Sequence, residues 1–154
     1  MLMLQFQAGG DRYGINITKV IEVAPFIRLR RIPHAAQEVA GTFNYRGLLT
    51  PVIDLTFLLT GKLSKERMST RIVLLSHEGD DGRLHVLGMM AESMTEMIRF
   101  RPSDLQAPVV SVSGAPYLGD ILFDERGSVQ MIEIEKLLTR DLLFSLFPPE
   151  VISK

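Results

Sequence analysis

The chain has 154 residues, 46% of them hydrophobic and 23% charged, with 17 Lys+Arg against 18 Asp+Glu. That length suits one domain or two small ones, and this balanced composition excludes a disordered tail and argues against a dedicated nucleic-acid binder. Cysteine is absent, which excludes disulfides, thiolate catalysis and cysteine-ligated zinc.

Residues 1–7 alternate Leu2, Leu4 and Phe6 with Met3, Gln5 and Gln7, the period of a half-buried strand. They carry no basic segment and no small-residue cleavage site, so no secretory signal is expected. After Gly9-Gly10-Asp11, Tyr13, Ile15 and Ile17 alternate again, and the two runs read as a hairpin. Residues 18–24 are ambiguous between a short helix and a strand. Residues 26–32 interleave Ile27 and Leu29 with Arg28 and Arg30, which reads as an exposed strand ended by Pro33. Strands are expected over residues 39–45 and 48–53. Asp54 then suits the N-cap of a short helix over 55–59, closed by Gly61.

Residues 62–69 are polar and read as a crossover, after which the pattern restarts. Residues 71–75 and 84–90 form a second expected hairpin around Gly79-Asp80-Asp81-Gly82, and residues 92–100 extend its second strand. Residues 101–116 hold three prolines and read as loop. Two more strands, 117–123 and 129–134, flank Asp124-Glu125-Arg126-Gly127. Ile134, Leu137, Leu138, Leu142 and Leu146 recur at helical spacing, with Leu143, Phe144 and Phe147 widening the apolar face. One terminal helix is expected, stopped by Pro148-Pro149. Many short strands at regular spacing point to small barrels or a sandwich. No run of about 20 apolar residues exists to insert in a bilayer, and a cytoplasmic protein is expected.

Little in the chain is arranged for catalytic chemistry. His77 and His85 could face each other across a hairpin, but a metal needs a third or fourth ligand. Thr60-Gly61-Lys62 looks like the end of a phosphate loop, yet Thr56 and Leu63 stand where such a loop needs glycine and a hydroxyl. No serine lies in a Gly-x-Ser-x-Gly elbow. No catalytic residue, cofactor or metal ligand is assigned, and binding is favoured over catalysis. Met89, Met90, Met94 and Met97 read as soft core filling, with an adaptable interface as the alternative.

One stretch is specific. Asn44-Tyr45-Arg46-Gly47 followed by Pro51-Val52-Ile53-Asp54-Leu55 resembles the signature of the CheW family of chemosensory coupling proteins. Tyr13-Gly14-Ile15-Asn16-Ile17, Val20-Ile21-Glu22-Val23, Arg31-Ile32-Pro33 and Ile134-Glu135-Lys136-Leu137-Leu138 agree in order. The resemblance implies a mainly β fold of two SH3-like five-stranded barrels with a C-terminal helix. It implies a single domain over residues 1–154, whose barrels divide near residues 62–70. It further implies a non-catalytic scaffold that couples the cytoplasmic tip of a methyl-accepting chemoreceptor to the regulatory domain of a CheA-type histidine kinase. Self-association or contact with a CheW-like paralogue would be compatible, whereas nucleic acid and direct membrane insertion would not. Val20, Glu22, Asn44, Tyr45, Arg46 and Gly47 are the partner-binding candidates this implies. Tyr45 stands where the family often has Leu, and this and other departures suggest a divergent paralogue, with a non-flagellar system as one expectation. The competing reading is a stand-alone SH3-like module for another peptide; its aromatic-lined groove is poorly served by a chain with no Trp and three Tyr.

Overall fold

The computed structural model describes residues 1–79 and 81–147, with the side chains of Arg140, Asp141 and Phe144 excepted. Asp80, Pro148, Pro149 and the Phe144 side chain, all named in the sequence reading, lie outside what is described.

Strands β1 (Leu2–Ala8) and β2 (Asp11–Asn16) form the expected hairpin, Met3 opposite Asn16 through Ala8 opposite Asp11. A 3₁₀ turn, Ile17–Lys19, leads into β3 (Val20–Pro25), which resolves the ambiguous segment as strand. Residues 26–32 are not a strand. Within them Arg30 alone makes a bridge, to Thr42, because Pro25 removes a donor and the segment peels from its neighbour. β4 (Val39–Tyr45) and β5 (Leu48–Asp54) pair as a hairpin. Asp54 caps α1 (Leu55–Thr60) by accepting from the Phe57 N–H at 3.2 Å, and Gly61 closes it at φ +77. The same carboxylate accepts from the Ser64 N–H at 2.9 Å and the Ser64 hydroxyl at 2.7 Å. It thereby holds the start of the 62–70 connection.

β6 (Arg71–Glu78) pairs antiparallel with β7 (Leu84–Arg99), a 16-residue strand that organises the molecule. Its residues 84–91 lie beside β6 and, at 88–90, beside β5 in parallel. Its residues 92–99 pair with β1 instead. The change falls where the register with β1 shifts and Ser93 takes φ +52. Such a bulge bends a strand and re-aims it. The Met94 N–H, freed there, donates to the Ser69 carbonyl at 3.1 Å. β8 (Leu105–Gln106), β9 (Leu118–Asp124) and β10 (Gly127–Ile132) complete the strands, with β10 parallel to β2.

Two strand sets result. One holds β3, β6, the first half of β7, β5 and β4, and the Arg30–Thr42 bridge joins the segment after β3 back to β4. The other holds the second half of β7, β1, β2, β10, β9 and β8. Ile98 of β7 and Leu105 of β8, from its two ends, pack on one cluster, so this set also curls on itself. Residues 62–70 run from α1 to β6, both attached to the first set. The passage between sets is made inside β7 and between β2 and β3.

Each set encloses its own small core. Phe43, Val52, Ile72, Leu74 and Met90 fill the first, and Met3, Phe100, Leu122, Val129 and Met131 the second. A larger core between them takes Leu4, Phe6, Ile15, Ile53, Val73, Leu75, Leu87 and Met89. The unbroken apolar run from Ile72 to Leu75 follows from this: alternate residues face two different cores, so both faces of β6 are buried. Met89, Met90 and Met94 are buried, which fits core filling, whereas Met97 is 56% exposed.

The terminal helix is two helices. α2 (Ile134–Leu137) ends after one turn, and α3 (Arg140–Leu146) starts afresh with the Thr139 hydroxyl oxygen accepting from the Leu142 N–H at 3.2 Å. A side chain that caps a helix N-terminus competes with continuing the helix through it, which the apolar periodicity conceals. Leu142, Leu143, Leu146 and Phe147 pack on the large shared core, so this segment folds back onto its own chain.

Candidate partner-binding site

Tyr45 pairs with Leu48, leaving Arg46-Gly47 as a two-residue turn. Arg46 has φ +52 and Gly47 φ +86. Two positive φ values are what a type I′ hairpin needs, because its twist matches that of the strands. Glycine meets the requirement without strain; an arginine there costs about 1 kcal/mol. The Asn44 Oδ1 accepts from the Gly47 N–H at 2.7 Å and locks the turn. Asn44 and Gly47 therefore set the turn, and Arg46 is the side chain it displays.

The guanidinium sits 5.2 Å from the centre of the Tyr45 ring. Its Nη2 lies 3.4 Å from the Glu22 Oε1 on β3, with the Arg46 side chain 73% exposed and that of Glu22 38%. Pairs this exposed contribute less than about 1 kcal/mol, so the contact orients Arg46 more than it stabilises the fold. Tyr45 packs edge-on against Phe43, ring centres 6.2 Å apart, at the border of the first core. Its hydroxyl is sealed from solvent and has no hydrogen-bond partner within normal bonding geometry. The nearby Glu22 carboxylate, followed by burial, raises the Tyr45 pKa.

Glu22, Tyr45 and Arg46 are thus brought into direct contact across β3 and β4, with Asn44 and Gly47 supporting them. Val20 is not part of this group. The register of β3 against β6 shifts between Val20 and Glu22, and Val20 packs on the large shared core. Two residues the sequence reading missed flank the turn: Leu48 is 50% exposed and Leu49 71%. Their signal was two successive leucines at the mouth of a hairpin, where alternation allows only one to face a core.

The two histidines do face each other, His77 opposite His85 in register. His85 Nε2 lies 3.3 Å from the Asp81 carboxylate, and its ring packs on Phe147 with centres 4.5 Å apart. Among the described residues no three His, Cys, Asp or Glu side chains gather as metal ligands. Among them, too, no helix is long and apolar enough to cross a membrane.

The model of the CheW-like domain family matches residues 2–142. The chain belongs to the CheW-like domain family. The chemotaxis protein CheW of Treponema pallidum is 28% identical to it over 144 residues, covering 89% of this chain and 81% of that one. The CheW of Helicobacter pylori is 26% identical over 137 residues, covering 88% and 80%. In structure, the scaffolding protein TtCheW from Thermoanaerobacter tengcongensis matches with a TM-score of 0.76 at 21% identity, over 92% of this chain and 89% of that one. The fold is therefore the CheW-like one. At these identities the chain is a divergent member.

Proposed function

We propose that this chain is a non-catalytic adaptor of a chemosensory array, coupling the cytoplasmic tip of a methyl-accepting chemoreceptor to the regulatory domain of a CheA-type histidine kinase. Membership of the CheW-like family and kinship with proteins named for chemotaxis and scaffolding support the general reading. The observation that carries the finer reading is the Arg46 turn. A strained, locked hairpin displays a mostly exposed guanidinium held by Glu22 and Tyr45 and flanked by exposed Leu48 and Leu49. Burial of a pre-oriented arginine and neighbouring apolar side chains is the usual chemistry of an interface hot spot. Strain kept at an exposed turn, where Asn or Gly would relieve it, is itself reason to look for a partner.

On this reading the chain works at the cytoplasmic periphery of receptor arrays. The regulatory domain of the kinase is one partner, the receptor tip another, and contact with a second CheW-like chain a third. Binary binding tests this. The purified chain should bind an isolated kinase regulatory domain and a receptor signalling fragment saturably. Binding to neither, in assays where a CheW from a related bacterium binds both, overturns it.

A further inference from the structure

Beside β4 lies an open cleft of about 800 Å³ that the adaptor reading leaves unused. Arg28, Arg30 and Arg31 line it, together with Phe26, Leu29 and Met90. These arginines are not a loose charged run. The N–H and carbonyl of Arg30 are both bonded to Thr42, each at 2.9 Å. The segment lies so close to β4 that a Cβ on Gly41 would come within 2.5 Å of the Arg30 carbonyl oxygen. The backbone at Arg30 is thereby pinned at the rim, with Arg28 and Arg31 within two residues of it.

Among the described residues none of the three arginines makes an ion pair. The acids of the lining do not answer them. Asp54 is buried and both its oxygens are engaged by Phe57 and Ser64. Glu66 is the other acid there, one carboxylate against three guanidinium groups. Arginine forks match the oxygens of phosphate in paired hydrogen bonds. The volume is that of a small-molecule site, which typically measures about 300–1,000 Å³, and Phe26, Leu29 and Met90 supply an apolar wall.

We propose that this cleft binds a phosphate ester of nucleotide size, its phosphates on Arg28, Arg30 and Arg31 and its apolar or aromatic part against Phe26 and Leu29. The site is separate from the Arg46 turn and stands or falls independently of the adaptor function. The test titrates the isolated chain with ATP, adenosine, inorganic phosphate and a Glu-rich peptide, read by calorimetry and by amide chemical shifts. ATP should bind saturably with a dissociation constant of about 1 mM or tighter, and at least tenfold better than adenosine or phosphate alone. Shifts should centre on residues 26–31, and affinity should fall as salt rises. The double variant Arg28→Gln, Arg31→Gln should weaken ATP binding at least tenfold with an unchanged melting temperature, since the structural bonds of this segment are made by backbone atoms. No saturable ATP binding overturns the proposal. So does equal binding of adenosine, an unaffected double variant that remains folded, or a Glu-rich peptide that displaces ATP and binds more tightly, which would make the cleft a protein-docking surface.

Discussion

Replacing Arg46 by Asn separates what this side chain does for the fold from what it does for a partner. At φ +52 an arginine pays about 1 kcal/mol, whereas Asn is among the few residues that tolerate this region well, and Asn-Gly is a preferred type I′ pair. The substitution also removes the contact with Glu22. That contact is 3.4 Å long between side chains 73% and 38% exposed, and pairs of this kind are worth about 0.5 kcal/mol. The balance is a stability gain of about 0.5 kcal/mol or less, a melting temperature unchanged or raised by about 1–2 °C for a chain of this size. Binding should move the other way. Loss of a central arginine typically costs about 1–3 kcal/mol, a roughly 5- to 150-fold weaker complex. Thermal melts followed by dichroism give the first number, and calorimetric titration with the kinase regulatory domain gives the second. Arg46→Lys adds a check, keeping the charge and the strain while losing the paired fork; its stability should match the parent and its affinity fall between the two. A melting temperature lowered by more than about 4 °C, with affinity falling in step, would show that Arg46 serves the fold and refute the argument.

Three further outcomes follow from the packing. Asp54→Ala removes a helix cap and leaves the Ser64 N–H without its acceptor, while the Ser64 hydroxyl can still donate to Thr56 Oγ1 at 2.8 Å, so chemical unfolding should show a loss of about 2–4 kcal/mol; a loss under about 0.5 kcal/mol contradicts the placement. Ending the chain at residue 140 removes four half-buried apolar side chains from the shared core, costing about 3 kcal/mol, and the truncated chain should melt lower. An unchanged melt would mean that α3 does not rest on the core in solution. The paired bonds from Arg12 to Asp124, at 2.8 and 2.6 Å, hold the Asp124 carboxyl down to about 2. A carboxyl depressed in the folded state adds stability above its unfolded pKa of about 4 and loses it as pH falls toward 2. Allowing for partial exposure, acid titration should remove about 1–2 kcal/mol in that window. Asp124→Asn should flatten the slope there, and a slope identical to that of the parent counts against the pair.

Local chemistry was legible in the sequence. The hairpins at residues 2–16 and 39–54, the Asp54 cap and the Gly61 stop each depend on a few adjacent residues, and they stand where their residues put them. What escaped was set by distant contacts. The alternation over residues 26–32 imitates a strand, yet only Arg30 finds a partner. The helical spacing from Ile134 to Leu146 is continuous in apolar residues but cut at Thr139, whose hydroxyl takes up a cap. β7 serves two strand sets because it bends at Ser93, and nothing in Glu92-Ser93-Met94 marks that bend. For the site, the Asn44 to Gly47 motif pointed to the turn, while the meeting of Arg46 with Glu22 depends on β3 and β4 being brought together by the whole first set. Val20, named with Glu22 because both match positions of the family resemblance, packs on the large shared core beyond the register shift between them.

Coupling itself is the central claim, and the most direct measurement is sedimentation of a CheA-type kinase with receptor-bearing membranes, with and without this chain. Kinase should pellet with the membranes only when the chain is added, the chain should pellet with it in a fixed ratio, and the Arg46→Asn chain, though fully folded, should restore little or none of this. Kinase that pellets equally without the chain, or full recruitment by the Arg46→Asn variant, would contradict it.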